Sequence, residues 1–230
     1  MPAIPLLTTT VTEHVFINSN MMEIHLATPN GFLYTPGQFI QVIIPGTDNK
    51  LTRSYSLASI PSDKDLELCI KITPGGTTDT YFQHLKPGDE VVIRGPFGQF
   101  VHKEDDRVAY IATGSGLAPI MGLIRHDLYT KKQTAPVHVW FGVRNEKDIF
   151  WLERLETMAR DFPHFTYTLT LSQPTSTWSG SVGRVTEHVT KNNVLYDKWF
   201  ICGNAQMVKD IRHILKEKSV PEALIHQEIF

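Results

Sequence analysis

The sequence predicts two domains, an antiparallel β-domain followed by a parallel α/β domain. Its 230 residues and 26.1 kDa suit two domains of the common size of about 100–150 residues. In residues 1–103 short apolar segments are separated by Gly and Pro turns, whereas in residues 104–230 apolar segments alternate with helical patterns. The charged segment 102–107 separates these two regions. We therefore place the domains at 1–103 and 104–230.

Strand patterns dominate the first domain. In residues 66–72 the apolar side chains alternate with Glu67, Cys69 and Lys71, a period of two that predicts one buried and one wetter face. Many short strands within one small domain predict a barrel or a sandwich. The predicted strands are 11–18, 22–27, 38–44, 54–58, 66–72 and 90–94, with one short helix at 78–85.

The second domain alternates strands and helices. This order predicts a parallel sheet with helices on both faces. The predicted strands are 108–112, 137–143, 165–171, 199–201 and 224–227, and the predicted helices are 116–129, 148–160 and 205–218.

Composition excludes several classes of function. A net charge of −2 gives no bulk positive field for nucleic acid. The two cysteines, Cys69 and Cys202, are fewer than an ordinary iron–sulfur cluster needs, and no His/Cys spacing predicts a metal site. Residues 1–10 lack a basic segment followed by a long apolar one, and no apolar stretch is long enough to span a bilayer. The expected location is therefore cytoplasmic.

The segment Arg53-Ser54-Tyr55-Ser56 is the first of three motifs. In a strand, Arg53 and Tyr55 project to one face and the two serines to the other. A guanidinium can bind phosphate in bidentate fashion, and a tyrosine ring offers a face for stacking. Alone, the segment is better explained as an ordinary strand with polar surface residues.

A glycine turn follows the first strand of the second domain. Gly114, Ser115 and Gly116 precede a helix, and such a turn can direct backbone amides at a pyrophosphate. It departs from the usual dinucleotide fingerprint, because Pro119 occupies the third glycine slot and the next strand ends at Arg144 rather than at an acidic residue. The standard Rossmann mode of binding is therefore not predicted.

The third motif is Cys202-Gly203, at the end of an apolar strand. Open parallel sheets bind ligands at strand ends. A lone cysteine is more often a small buried hydrophobe, but here an amphipathic helix containing Met207 follows. We predict a binding role for this segment without a covalent role for the thiol.

Together, in this order, the three motifs resemble the ferredoxin–NADP reductase superfamily, flavoenzymes that pass electrons between a nicotinamide nucleotide and a one-electron partner. The resemblance covers residues 36–230. It implies an N-terminal antiparallel Greek-key β-barrel that binds FAD, in preference to FMN, and a C-terminal α/β parallel-sheet domain that binds NADH or NADPH. Gln173 stands where NADP-selective relatives tend to have arginine, which favours NAD.

The resemblance also implies roles for individual residues. It places Ser56, Cys202, Glu228 and Phe230 at the catalytic centre, where hydride passes from the nicotinamide to the flavin and the Phe230 ring covers one flavin face. The flavin-binding residues would be Arg53, Ser54, Tyr55, Ser56, Gly75, Gly76, Thr78, Thr80 and Phe230. The nicotinamide nucleotide would contact Gly114, Ser115, Gly116, Pro119, Arg144, Cys202, Gly203, Met207 and Phe230.

One departure from the family pattern concerns Asp79, which stands where relatives usually have serine. A carboxylate facing the flavin phosphate is unfavourable unless it turns away, and Thr78 or Thr80 would then supply the hydroxyl. The leading prediction is an oxidoreductase that reduces an iron–sulfur protein or an oxygenase on another chain. A free-flavin reductase and a non-catalytic flavin-binding redox sensor are the alternatives.

Overall fold

Two six-stranded sheets, one antiparallel and one parallel, build the protein in the computed structural model, which describes residues 4–46, 51–73 and 75–230. The predicted fold class is confirmed. The exact boundary at residues 103 and 104 stays a prediction. No helix among the described residues is long and apolar enough to cross a membrane.

The antiparallel sheet closes into a barrel with the strand order β4-β3-β6-β1-β2-β5. A bridge between Leu57 and Leu68 joins the end of β4 to β5, and the fully buried side chain of Phe82 in helix α1 packs into the barrel core. The elements are β1 (Leu6–Asn18), β2 (Met21–Ala27), β3 (Phe39–Ile44), β4 (Leu51–Ser56), β5 (Asp65–Lys71), α1 (Thr77–His84) and β6 (Glu90–Phe97).

The parallel sheet has the strand order β10-β9-β8-β7-β11-β12, with helices packed on both faces. The order changes direction between β7 and β11, and ligands bind open α/β sheets at such a switch point. The elements are β7 (Val108–Thr113), α2 (Leu117–Arg125), β8 (Val137–Val143), α3 (Leu152–Asp161), β9 (Phe165–Leu171), β10 (Ser181–Val182), α4 (Val185–Lys191), β11 (Lys198–Gly203), α5 (Ala205–Glu217) and β12 (Ile225–Ile229).

The predicted helix 116–129 is divided in the structure. A 3₁₀ turn covers Gly114–Gly116, α2 follows, and a π-helical turn covers His126–Thr130. In that turn Asp127 is fully buried. Its carboxylate lies 2.9 Å from His102 Nδ1 and accepts a hydrogen bond of 2.5 Å from the Tyr110 hydroxyl. Long-range polar contacts therefore shape this helix end, and apolar periodicity does not encode them.

Two other differences have local causes. The helix predicted to begin at residue 148 begins at Leu152, because Asp148 accepts from the Asn145 amide in a separate turn and Trp151 has a left-handed φ of 55°. Strand β10 and helix α4 are missing from the prediction. Their apolar contacts are few, with only Val185 and Val189 buried in α4.

A network of charged side chains joins the barrel to the α/β domain. Arg154 of α3 donates to Glu23 at 2.9 Å and also to Glu67, while Trp151 Nε1 donates to Glu23 at 2.7 Å. Both carboxylates are at least nine-tenths buried, and burial raises the pKa of the Glu67 carboxyl. Arg125 of α2 pairs with Asp63 of the barrel at 2.8 Å. These contacts hold the two domains in one relative position.

We expect Arg154→Met to lower the free energy of unfolding by about 3 kcal/mol, because it removes the cation that bridges the buried carboxylates of Glu23 and Glu67. Urea denaturation at neutral pH measures the change. The control is Arg160→Met on the same helix, where an exposed pair with Asp161 contributes about 0–1 kcal/mol. Equal losses in the two variants would contradict the role of Arg154.

Candidate functional site

A cleft of about 950 Å³ opens at the carboxyl ends of the parallel strands, beside the end of barrel strand β5. It lies at the switch point between β7 and β11, and barrel residues 71–73 form part of its wall. Of the residues predicted from the sequence, the cleft is lined by Gly114, Ser115, Arg144, Gly203, Met207 and Phe230.

The glycines of this cleft are required by close packing. A Cβ atom at Gly116 would lie 2.3 Å from the Cys202 carbonyl oxygen, and one at Gly203 would lie 2.2 Å from Thr113 Oγ1. Gly114 has a φ of 54° with open space around it. The ends of β7 and β11 therefore approach each other more closely than side chains would permit, and Gly114 stays accessible. Pro119 is buried in the first turn of α2, which follows the glycine turn.

Basic side chains outnumber acidic ones along the cleft. Four cations line it: Lys71, Arg144, Lys147 and Arg184. Lys71 and Lys147 were not predicted from the sequence. The two lining carboxylates are engaged by amides, Asp148 with Asn20 at 2.9 Å and Asp210 with Gln206 at 2.7 Å. The cleft therefore favours an anionic ligand. The run Arg144-Asn145-Glu146-Lys147 after β8 was the available signal in the sequence.

Strand β12 carries the carboxyl-terminal residues to the mouth of the cleft. Cys202 of β11 and Glu228 of β12 are paired in register, and the Phe230 amide donates to the Gly203 carbonyl at 3.0 Å. The Phe230 ring is 50% exposed, so it can be displaced at little cost in packing. Burial raises the pKa of the Cys202 thiol well above its usual range. The thiol is therefore neutral near pH 7.

The barrel motif presents an unpaired hydroxyl. Ser56 is 4% exposed, and its Oγ is buried with no hydrogen-bond partner among the described residues. The half-buried Tyr55 ring packs edge-on against Phe82 with centroids 5.0 Å apart, and burial raises the pKa of its phenol. Arg53 is exposed and donates to the Thr52 carbonyl at 3.2 Å. An unpaired polar atom, an aromatic ring and a cation thus follow one another along β4, with Ser54 exposed between them.

Phe39 and Gly98 link this motif to the carboxyl terminus. Phe39 of β3 pairs in register with Ser56 of β4. A Cβ atom at Gly98 would lie 3.1 Å from the Phe39 ring and 3.5 Å from Glu228 Oε1. The structure therefore brings Ser56, Glu228 and Cys202 to one junction between the domains.

The loop before α1 resolves the question of Asp79. Its carboxylate is buried and accepts from the Thr73 amide at 2.6 Å, and a Cβ atom at Gly76 would lie 2.8 Å from that oxygen. The carboxylate therefore turns inward and does not face a phosphate. Thr80 Oγ1 donates to the Gly76 carbonyl at 3.2 Å. Gly75, with φ of 84°, Gly76, Thr78 and Thr80 belong to the barrel surface and do not line the cleft.

Glu228 supplies a pH-dependent prediction. Burial raises its pKa from 4.5 to about 7, so between these values the folded protein holds a proton that the unfolded chain releases. Stability should therefore fall as pH rises through this range. We expect the free energy of unfolding of the wild type to decline relative to that of Glu228→Gln between about pH 5 and pH 7, measured by urea denaturation. Parallel curves for the two proteins would refute the shift.

Family models match both halves of the chain. An oxidoreductase FAD-binding domain model matches residues 8–102, and an oxidoreductase NAD-binding domain model matches residues 110–213. Among curated proteins, a "Ferredoxin--NADP reductase B" of Sorangium cellulosum is 31% identical over 219 residues, which are 88% of this chain and 87% of that protein. The "Anthranilate 1,2-dioxygenase electron transfer component" of Acinetobacter baylyi is 29% identical over 86% of this chain, but the match spans only 58% of that protein.

Solved structures show the same fold. The cytochrome P450 reductase GcoB of Amycolatopsis superposes with a TM-score of 0.88 at 27% identity, covering 99% of this chain and 71% of that one. A ferredoxin NADP+ reductase of Neisseria gonorrhoeae with bound FAD and NADP superposes with a TM-score of 0.87 at 19% identity, covering 97% and 98%. With both domain models and a full-length relative in agreement, the chain belongs to the ferredoxin–NADP reductase superfamily and is an oxidoreductase that uses FAD and NAD(P)H.

Proposed function

We propose that this enzyme takes hydride from NADH or NADPH onto FAD and delivers electrons to an iron–sulfur protein or an oxygenase on a separate chain. The relatives named as a ferredoxin reductase and as a dioxygenase electron-transfer component support such an acceptor. The observation that carries the proposal is the buried, unpaired Ser56 hydroxyl at the junction where Glu228 and Cys202 also lie. A buried hydroxyl without a partner is costly, so a ligand atom that bonds it would be stabilised there.

Bound FAD would supply hydride acceptance and release of electrons one at a time. On the barrel side, Arg53 would bind a flavin phosphate and Tyr55 would provide the surface on which the ring stacks. Ser56 Oγ would offer a hydrogen bond to the flavin, and Ser54 on the same strand would contact the cofactor. A second phosphate contact comes from the loop before α1. The other contact residues would be Thr78 and Thr80 in the first turn of α1, next to Gly75 and Gly76 of the loop.

On the α/β side, residues at the strand ends bind the nicotinamide nucleotide. Gly114 and Ser115 offer amides to the pyrophosphate, and Arg144 adds a cation. Gly116 and Pro119 hold the turn in place. Gly203 permits close approach, and Cys202 and Met207 pack near the nicotinamide as neutral, polarisable groups.

Two residues of the carboxyl-terminal segment act at the reacting centre. Phe230 would cover the flavin and would move aside for the nicotinamide, which its half-exposed ring favours. Glu228, with a pKa of about 7, holds a proton at Oε1 or Oε2 near neutral pH and can exchange it with solvent.

The structure weakens one alternative. The free-flavin reductase alternative assumed weak flavin binding, caused by repulsion between the Asp79 carboxylate and the flavin phosphate. The Asp79 carboxylate instead accepts from the Thr73 amide, which favours an inward orientation and supports tight binding of flavin. Oxidoreductase relatives favour an enzyme over a redox sensor.

Anaerobic titration of the yellow holoprotein with NADPH and with NADH tests the proposed reaction. We expect the absorbance of bound flavin to bleach near one equivalent, and the reduced protein to reduce an added [2Fe–2S] ferredoxin in subsequent one-electron steps. An unchanged oxidised spectrum would refute hydride transfer. Bleaching without transfer to the ferredoxin or to an oxygenase component would refute the proposed acceptor alone.

We expect Arg53→Ala to weaken flavin binding about 10- to 100-fold, because a charge-assisted hydrogen bond contributes about 1.5–3 kcal/mol. Flavin fluorescence on titration of the apoprotein measures the dissociation constant. Lys64→Ala, an exposed cation elsewhere on the barrel, should leave it unchanged. Equal constants for Arg53→Ala and the wild type would rule out the phosphate contact.

A further inference from the structure

A second groove lies at the edge of the parallel sheet, between helix α5 and strand β12. Its volume is about 560 Å³. Helix α5 contributes Lys209, Arg212, His213 and Lys216, and β12 contributes Gln227 and Ile229. None of these residues has a role in the proposed reaction.

Strand β12 is an edge strand that pairs with β11 on one side. On its other side, no strand of the described chain takes up its backbone amides and carbonyls. An exposed edge strand of this kind can pair with a strand of another chain unless charged side chains, proline or a covering element prevent it. The Ile229 side chain is 56% exposed, so an apolar contact beside the edge is also unfilled.

The two faces of β12 point to different places. Ile225 packs into the core beneath α5, and side chains alternate along a strand. Gln227 and Ile229 therefore face the groove, while Glu228 faces the junction between the domains. A strand added beside β12 would place every second side chain over the groove.

The helical wall of this groove is basic. Lys209, Arg212 and Lys216 follow one another at the spacing that puts residues on one helix face. Arg212 pairs with Glu222, but Lys209 and Lys216 have no ion-pair partner within the described ranges. The whole chain has a net charge of −2, so this strip contrasts with the rest of the protein.

We propose that the groove binds an extended acidic segment of a partner protein, which pairs with β12 as an additional strand. The backbone of the segment would satisfy the free edge of β12. Its carboxylates, at every second position, would lie over Lys209 and Lys216, and its apolar side chains would contact Ile229. The bound segment must be both extended and acidic. The edge of β12 pairs only with an extended backbone, and the lysines attract carboxylates.

A fluorescein-labelled peptide of alternating Glu and Val residues tests the charge requirement by anisotropy at low ionic strength. We expect saturable binding that salt weakens, and an affinity at least about tenfold lower for Lys209→Glu/Lys216→Glu. The control is Lys64→Glu/Lys86→Glu, which makes the same change in charge at exposed barrel lysines and should keep the wild-type affinity. Absence of saturable binding, or equal weakening in both double variants, overturns the proposal.

A peptide of alternating Lys and Val residues tests whether the charge-reversed variant, Lys209→Glu/Lys216→Glu, is still folded at the groove. This peptide should bind that variant and should not bind the wild type. Failure of this exchange in a variant with wild-type circular dichroism also overturns the charge assignment.

Amide hydrogen exchange tests the strand pairing. The Glu/Val peptide should protect amides of β12 within 225–229 from exchange. A matched peptide with proline at alternate positions should neither bind nor protect them, because proline lacks the backbone N–H that donates in strand pairing. Equal binding of the proline peptide would show an electrostatic contact without strand addition and would overturn the proposal. Both readouts are independent of flavin and of hydride transfer, so they stand apart from the proposed reaction.

Discussion

The contact between Arg154 and two buried carboxylates, Glu23 and Glu67, holds the barrel against the α/β domain. The proposed reaction needs residues of both domains. The site is divided between two sheets, with Ser56 on the barrel and Cys202 on the parallel sheet, and neither half is complete alone. Hydride transfer requires reacting atoms about 3–3.5 Å apart, so small changes in the relative position of the domains would matter. A buried ion pair with excellent hydrogen bonding resists such changes, because separation would leave charges uncompensated.

Close packing of backbone at the strand ends is the second constraint. Gly116 and Gly203 have no room for a side chain, which lets β7, β11 and the following turns converge on one point. The same convergence leaves Gly114 and Ser115 open to the cleft. Positive side chains around this point make the cleft suitable for a pyrophosphate without relying on the usual third glycine of dinucleotide-binding folds.

Strand β12 serves two surfaces because its side chains alternate. One face carries Glu228 at the junction between the domains, and the other contributes Gln227 and Ile229 to the basic groove. Burial acts on the first face by raising the pKa of Glu228 to about 7. On the second face Gln227 and Ile229 are exposed, near Lys209 and Lys216, which have no ion-pair partner among the described residues. A partner bound at this edge would therefore sit one residue away from the reacting centre along the same strand.

The sequence by itself determined the two-sheet architecture, since alternating and helical apolar periods differ and turns are marked by Gly and Pro. It also predicted a site at the strand ends, because Arg53–Ser56, the glycine turn and Cys202-Gly203 are local motifs that can be recognised in the sequence; the roles of these residues stay a prediction. Only the tertiary structure decided the direction of the Asp79 carboxylate, the π-helical turn around Asp127, the two lysines of the cleft and the pairing of Arg154 with Glu23 and Glu67. Each of these depends on contacts between residues far apart in the chain, and their energies are set by burial and distance, which no local pattern encodes.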